Sequence, residues 1–140
     1  MGRIVGLDFG TARLGVAVSD ARCIIATPLK TLSMSKNPQE TLQELKRQLA
    51  AYTDIERIVV GLPLMLSGKE GEMALKVRAF GALLEKHFPY PVVFWDERLT
   101  SAGVEKMLIG CEVSRKKRAQ LSDSLSAISI LQNYLDSLRS

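Results

Sequence analysis

The chain has 140 residues, 46% of them hydrophobic and 24% charged, with a formal net charge of +4. That is the size of one globular domain spanning residues 1–140 and too short for two full lobes. No stretch approaches the ~18 apolar residues of a membrane span, and Met1-Gly2-Arg3 runs into Ile4-Val5-Gly6-Leu7 without the layout of a signal peptide, so a soluble cytoplasmic protein without a membrane partner is expected. Cys23 and Cys111 lack metal-like spacing, which argues against zinc and for reduced thiols. The positive charge favours a polyanionic partner only mildly.

Arg3 to Phe9 reads as a strand, and Leu14 to Ser19 as a second one in which Leu14, Val16 and Val18 alternate with small residues; the short Gly10-Thr11-Ala12-Arg13 link makes the pair a hairpin. A third strand is expected over Cys23 to Leu32, with Pro28 marking an edge. Asn37-Pro38-Gln39-Glu40 has the residues of a helix start with a capping box, and Leu42, Leu45 and Leu49 supply one apolar stripe. Arg57 to Leu62 is a β-branched run, as in a strand buried on both faces, and Gly61-Leu62-Pro63 ends it. A loop from Leu64 to Gly71, either a plain connection or a segment that moves over substrate, leads to a helix with Met73, Val77, Phe80 and Leu84 on one side. Val92 to Trp95 is the next strand, with Phe94 and Trp95 read as core. A short helix over Ala102 to Ile109 and a long one over Lys117 to Leu138 follow. The order predicts an α/β fold: a mixed five-stranded sheet with a hairpin-rich start, then βαβ crossovers, helices on both faces, and the first, fourth and fifth strands parallel.

Pleating puts Ile4, Gly6 and Asp8 on one face of the first strand, with Asp8 at its C-terminal end. Parallel strands share one carboxyl edge, where α/β folds place ligands, so Glu97, just past the fifth strand, emerges beside Asp8. Asp123 on the last helix lies outside its main apolar stripe (Leu121, Leu125, Ile128, Leu131, Leu135, Leu138) and is bordered by Ala119, Ala127 and Ile130, where an ionised carboxylate needs a partner. Each has a plainer reading: Asp8 as a turn residue, Glu97 as a loop residue paired with Arg98, Asp123 as a helix-start charge favoured by the dipole. Together, three hard oxygen donors suit Mg²⁺ or Mn²⁺ and metal-assisted phosphodiester hydrolysis. No Ser-His-Asp or Cys-His set is in view, and His87, the only histidine, reads as a surface or capping residue.

Leu7-Asp8-Phe9-Gly10-Thr11 with Gly15-Val16-Ala17, then Val60-Gly61-Leu62-Pro63, then Asp96-Glu97-Arg98-Leu99-Thr100-Ser101, then Asp123 with Ser126-Ala127 and Ile130-Leu131, resembles the bacterial YqgF/RuvX family in order and spacing over nearly the whole chain. That family is described as pre-16S rRNA nucleases and Holliday-junction-resolvase-like proteins. The resemblance implies an RNase H-like fold, metal-dependent nuclease activity, a role in cytoplasmic ribosome biogenesis, and acidic site residues at Asp8, Glu97 and Asp123. The chain departs from the family at Val104, where alanine is common, and at Ser124, where lysine is frequent.

Arg13 in the hairpin turn, Arg98 and Thr100 beside Glu97, and the run Arg115-Lys116-Lys117-Arg118 before Asp123 are the expected substrate contacts, since Arg and Lys hold backbone phosphates. Their plainer reading is salt bridging and a solvated helix start. Asp-x-Gly-Thr also opens the phosphate loop of actin and sugar-kinase folds, but those need two lobes. A non-catalytic RNA-binding protein would have no need of the three carboxylates. A four-way DNA junction resolvase remains the alternative; it would act as a symmetric dimer, and the sequence leaves monomer and homodimer both open.

Overall fold

The computed structural model describes residues 2–97 and 115–139, and the side chains of 115–123 lie outside that description. The expected helix over Ala102 to Ile109 falls outside it as well.

Strands β1 (Arg3–Phe9) and β2 (Arg13–Ser19) form the expected hairpin, in register from Val5 opposite Val18 to Phe9 opposite Leu14. The single strand expected over Cys23 to Leu32 is instead two pieces, β3 (Ala26–Pro28) and β4 (Leu32–Ser33), both paired antiparallel with β2, so the sheet has six strands rather than five. The cause is local. The Asp20 carboxylate accepts from the Ile24 and Ile25 amides at 2.7 and 3.0 Å, and Cys23 adopts φ 57°, so this stretch turns before it can pair. Pro28, lacking an N–H, closes the first piece.

Helix α1 (Pro38–Leu49) starts where Asn37 caps the Gln39 amide. The expected reciprocal box is rerouted: the Glu40 carboxylate accepts from the Ser35 hydroxyl, and that hydroxyl oxygen accepts from the Asn37 amide. Strand β5 (Ile55–Leu62), helix α2 (Glu72–His87), strand β6 (Val92–Asp96) and helix α3 (Arg115–Leu138) complete the chain. The sheet order is β3-β2-β1-β5-β6 with β4 also on β2, and β1, β5 and β6 are parallel. In α2 the buried row is Ala74, Val77, Phe80 and Leu84, so Ala74 rather than Met73 begins it.

The sheet is covered on both faces. Val5, Leu7, Val16, Ile58 and Val60 pack with Leu42, Leu45, Leu49, Val77, Phe80 and Leu84 of α1 and α2. Ile4, Ala17 and Val59 pack with Ala127, Ile130, Leu131, Tyr134 and Leu135 of α3. Phe94 packs against the first layer and Trp95 against the second, each half-buried at the margin of the core.

One correction concerns α3. Of the expected apolar stripe, Leu131 and Leu135 are fully buried, Leu125 and Ile128 are half-buried and Leu138 is exposed, and Ala127, Ile130 and Tyr134 complete the sheet-facing row. Small residues on the sheet admit this row: a Cβ on Gly6 would lie 2.6 Å from Leu131 Cβ and 3.3 Å from the Ala127 carbonyl oxygen. The segment from Leu64 to Gly71 is tied into a turn by a Leu64–Glu70 bridge, by Met65 N to Lys69 O at 2.9 Å and by Gly68 at φ 85°.

Candidate active site

Asp8 sits one residue before the end of β1, on the α3 face, opposite Gly15 of β2. On the other side of β1, the pairing of Leu7 with Val60 carries Asp8, one step on, alongside Gly61 of β5. Glu97 follows directly on β6, whose last residue Asp96 pairs with Leu62. β1 and β6 are separated by β5, so about 10 Å of sheet lies between them. Glu97 bridges that gap by lying over Gly61: a Cβ there would be 2.5 Å from Glu97 Oε1 and 2.8 Å from Glu97 Cγ. Its carboxyl thereby comes within hydrogen-bonding reach of Asp8.

Burial pushes the Glu97 carboxyl above its ordinary value; the hydrogen bond with Asp8 opposes that rise and the charge of Asp96 adds to it. Two carboxylates this close repel unless a proton or a cation lies between them, so the pair is poised to take up positive charge.

Helix α3 carries position 123 toward the same edge of the sheet. The Ala26 amide donates to Gln132 at 3.0 Å, and the Thr31 and Ser124 hydroxyls are hydrogen-bonded at 3.2 Å. Ala26 aligns with the start of β1 through Ser19, while Thr31 lies beyond the end of β3. The helix therefore runs antiparallel to β1, with its N-terminal part over the carboxyl edge. Position 123 is one turn before Ala127, on the row that continues through Ile130 and Tyr134 into the core. The Asp123 side chain lies outside the described residues, as do Arg98, Thr100 and the side chains of Arg115, Lys116, Lys117 and Arg118. Arg13 is exposed at the end of the hairpin turn, and His87 is exposed at the end of α2.

Gly61 and Ile130 were not singled out from the sequence as site residues. The available signal was a glycine at the next-to-last position of an otherwise β-branched strand, which marks a close approach. The donors fit a hard divalent cation: they are carboxylate oxygens, two of them already converged, with no sulfur or imidazole among them.

Residues 2–137 match the family model described as RuvX, Holliday junction resolvase. The chain belongs to the RuvX family. Family relatives include a protein of Protochlamydia amoebophila, 44% identical over 140 residues that cover 96% of this chain and 93% of the relative, and one of Koribacter versatilis, 48% identical over 135 residues that cover 96% and 87%. Both bear the name "Putative pre-16S rRNA nuclease". Among solved structures, Fowlpox virus resolvase in complex with Holliday junction DNA superposes with a TM-score of 0.58 at 12% identity, covering 99% of each chain. Thermus thermophilus RuvC with a Holliday junction superposes at 0.54 and 17% identity, covering 100% of this chain and 98% of that one. At these identities the likeness establishes the fold, which is RNase H-like.

Proposed function

We propose that this RuvX-family chain is a divalent-metal-dependent nuclease that hydrolyses phosphodiester bonds in RNA, with the 5′ end of a 16S rRNA precursor as substrate in cytoplasmic ribosome biogenesis. The observation that carries the reading is the meeting of Asp8 and Glu97 over Gly61 at the carboxyl edge of the sheet. Two carboxyls brought together from strands separated by β5 repel when both are ionised and form a ready cation site. The names of the 44–48% identical relatives direct the reading to rRNA.

Asp8, Glu97 and Asp123 would hold Mg²⁺ or Mn²⁺, which supplies Lewis acidity toward a phosphate oxygen and a bound water of lowered pKa. Asp8 and Glu97 would act as oxygen donors once deprotonated, and burial raises the Glu97 carboxyl above its ordinary value. Arg13, Arg98, Thr100 and the run Arg115 to Arg118 neutralise and position backbone phosphates around that centre. The basic run opens α3 with no acidic residue in the first turn, although a helix N-terminus disfavours positive charge. An anionic partner accounts for that placement.

A second reading, resolution of four-way DNA junctions, is favoured by the fold shared with the resolvases. The two separate in one assay. A 16S precursor carrying its 5′ extension and an immobile four-way DNA junction are incubated with the protein in Mg²⁺ or Mn²⁺. Shortening of the RNA with the junction intact supports the proposal, and paired symmetric nicks in the junction with the RNA intact transfer the assignment to resolution. If both bind and neither is cut, the chain is a non-catalytic nucleic-acid-binding protein.

A further inference from the structure

The geometry points to Gly61 as a positioning residue for the Glu97 carboxylate: the bare backbone at this point is the seat on which Glu97 crosses β5 to reach Asp8. The inference rests on the proposed role of Glu97 and extends it to a residue with no functional group.

The structure contains a built-in contrast between two glycines on the α3 face of the sheet. A methyl on Gly6 would meet the Leu131 Cβ at 2.6 Å and the Ala127 carbonyl oxygen at 3.3 Å. Those atoms are held by the body of α3, so the helix itself would have to move. A methyl on Gly61 would meet Glu97 Oε1 and Ile130 Cδ1, each at 2.5 Å, and Glu97 Cγ at 2.8 Å. Here the nearest atoms are the tips of side chains that can rotate. Relief at Gly6 comes from moving a structural element; relief at Gly61 comes from swinging Glu97 off the strand, away from Asp8. Gly6 is therefore a packing residue, and Gly61 acts on the site.

The strand pattern supports the same reading. Val59 lies on the α3 face with Ile4 and Ala17, while Val60 and Leu62 pack on the opposite face. Position 61 is thus the one place on β5 where a side chain on the site face would stand between β1 and β6. A β-branched residue there, as at positions 58, 59 and 60, would extend the strand's apolar run and close the passage.

The test is Gly61→Ala, read in three ways. Mn²⁺ affinity without RNA is measured from the electron paramagnetic resonance signal of free Mn²⁺, kcat and KM are measured on RNA, and a thermal melt reports the fold. The expected result is a melt close to wild type, Mn²⁺ affinity and kcat each reduced about 10-fold or more, and KM little changed. Ile130→Val in the same chain removes the other clashing atom, so it should restore any lost stability without restoring Mn²⁺ affinity. Glu97→Asp, with its shorter side chain, should lose less on top of Gly61→Ala than it loses alone. Unchanged Mn²⁺ affinity and kcat in Gly61→Ala overturn the proposal. So does full recovery with Ile130→Val, which would show that packing under α3 was the cause, and so does failure of Gly61→Ala/Ile130→Val to fold. If no form of the protein cuts RNA but Mn²⁺ affinity still falls in Gly61→Ala, the seat for Glu97 stands and the nuclease reading fails instead.

Discussion

Gly6 of β1 and Leu131 of α3 are in such close contact that a single added methyl on the strand would lie 2.6 Å from the leucine Cβ. This contact fixes how near α3 lies to the sheet, and with it how near position 123 comes to the end of β1. Gly6→Ala should cost about 1–3 kcal/mol by overpacking, at the upper end because helix backbone must shift. Urea unfolding of the two proteins side by side checks it; an unchanged midpoint would mean the helix is loosely held.

Asp20 organises the turn that ends β2 and passes under the C-terminal part of α3, where Gln132 accepts from the Ala26 amide and donates to the Ile24 carbonyl. The backbone amides of Ile25 and Ile24, in that order of effect, hold the Asp20 carboxyl below its ordinary value of 3.8. A carboxyl with a depressed native pKa stabilises above its unfolded value and loses that contribution as pH falls through the native one. The melting temperature of wild type should therefore exceed that of Asp20→Ala at pH 7, and the gap should narrow once the pH drops below the unfolded value of about 4. A gap of constant size down to pH 2.5 would show that the carboxylate charge contributes nothing.

The basic run at the head of α3 lends itself to a two-sided test. Replacing Lys116 and Lys117 by alanine should weaken RNA binding about equally across sequences and lower the salt slope by roughly 1 per lost phosphate contact. Stability should hold or rise slightly, because positive charge at a helix N-terminus is unfavourable. Binding and salt slope equal to wild type would reduce the run to a solvated helix start.

Asp123 is the proposed donor whose role depends on helix register. Asp123→Asn keeps the shape and one oxygen but removes the charge, so cleavage should fall severely while the melt stays at or above wild type. RNA binding without metal should persist. A melt far below wild type would make Asp123 structural, and wild-type cleavage would remove it from the mechanism.

Much of this was readable from residue order. The hairpin, the parallel strands at Arg57–Leu62 and Val92–Trp95, and the convergence of Asp8 with Glu97 followed from pleating and from the shared carboxyl edge of parallel strands. The late start of the third strand at Ala26 was not, because it depends on the Asp20 side chain capturing two amides and on Cys23 adopting a left-handed conformation. Nor was the whole face of α3. Leu131 and Leu135 of the leucine stripe do face the sheet, but the close approach at Gly6 and Ala17 adds Ala127, Ile130 and Tyr134 to that face and leaves Leu138 outside. The part played by Gly61 was hidden for a related reason: a missing side chain acquires meaning only when its neighbour is placed.

Carboxylates at the edge of this sheet are proposed to support metal-dependent cutting of RNA. The direct measurement is the initial rate of cleavage of a 5′-extended 16S precursor by wild type and by Asp8→Asn, each with Mg²⁺, with Mn²⁺ and with chelator. Wild type should cut only when metal is present. Asp8→Asn should be slower by roughly a hundredfold or more, about 3 kcal/mol on the barrier, while binding the RNA as well as wild type does. Equal rates for the two proteins, or wild-type cutting that survives the chelator, would contradict it.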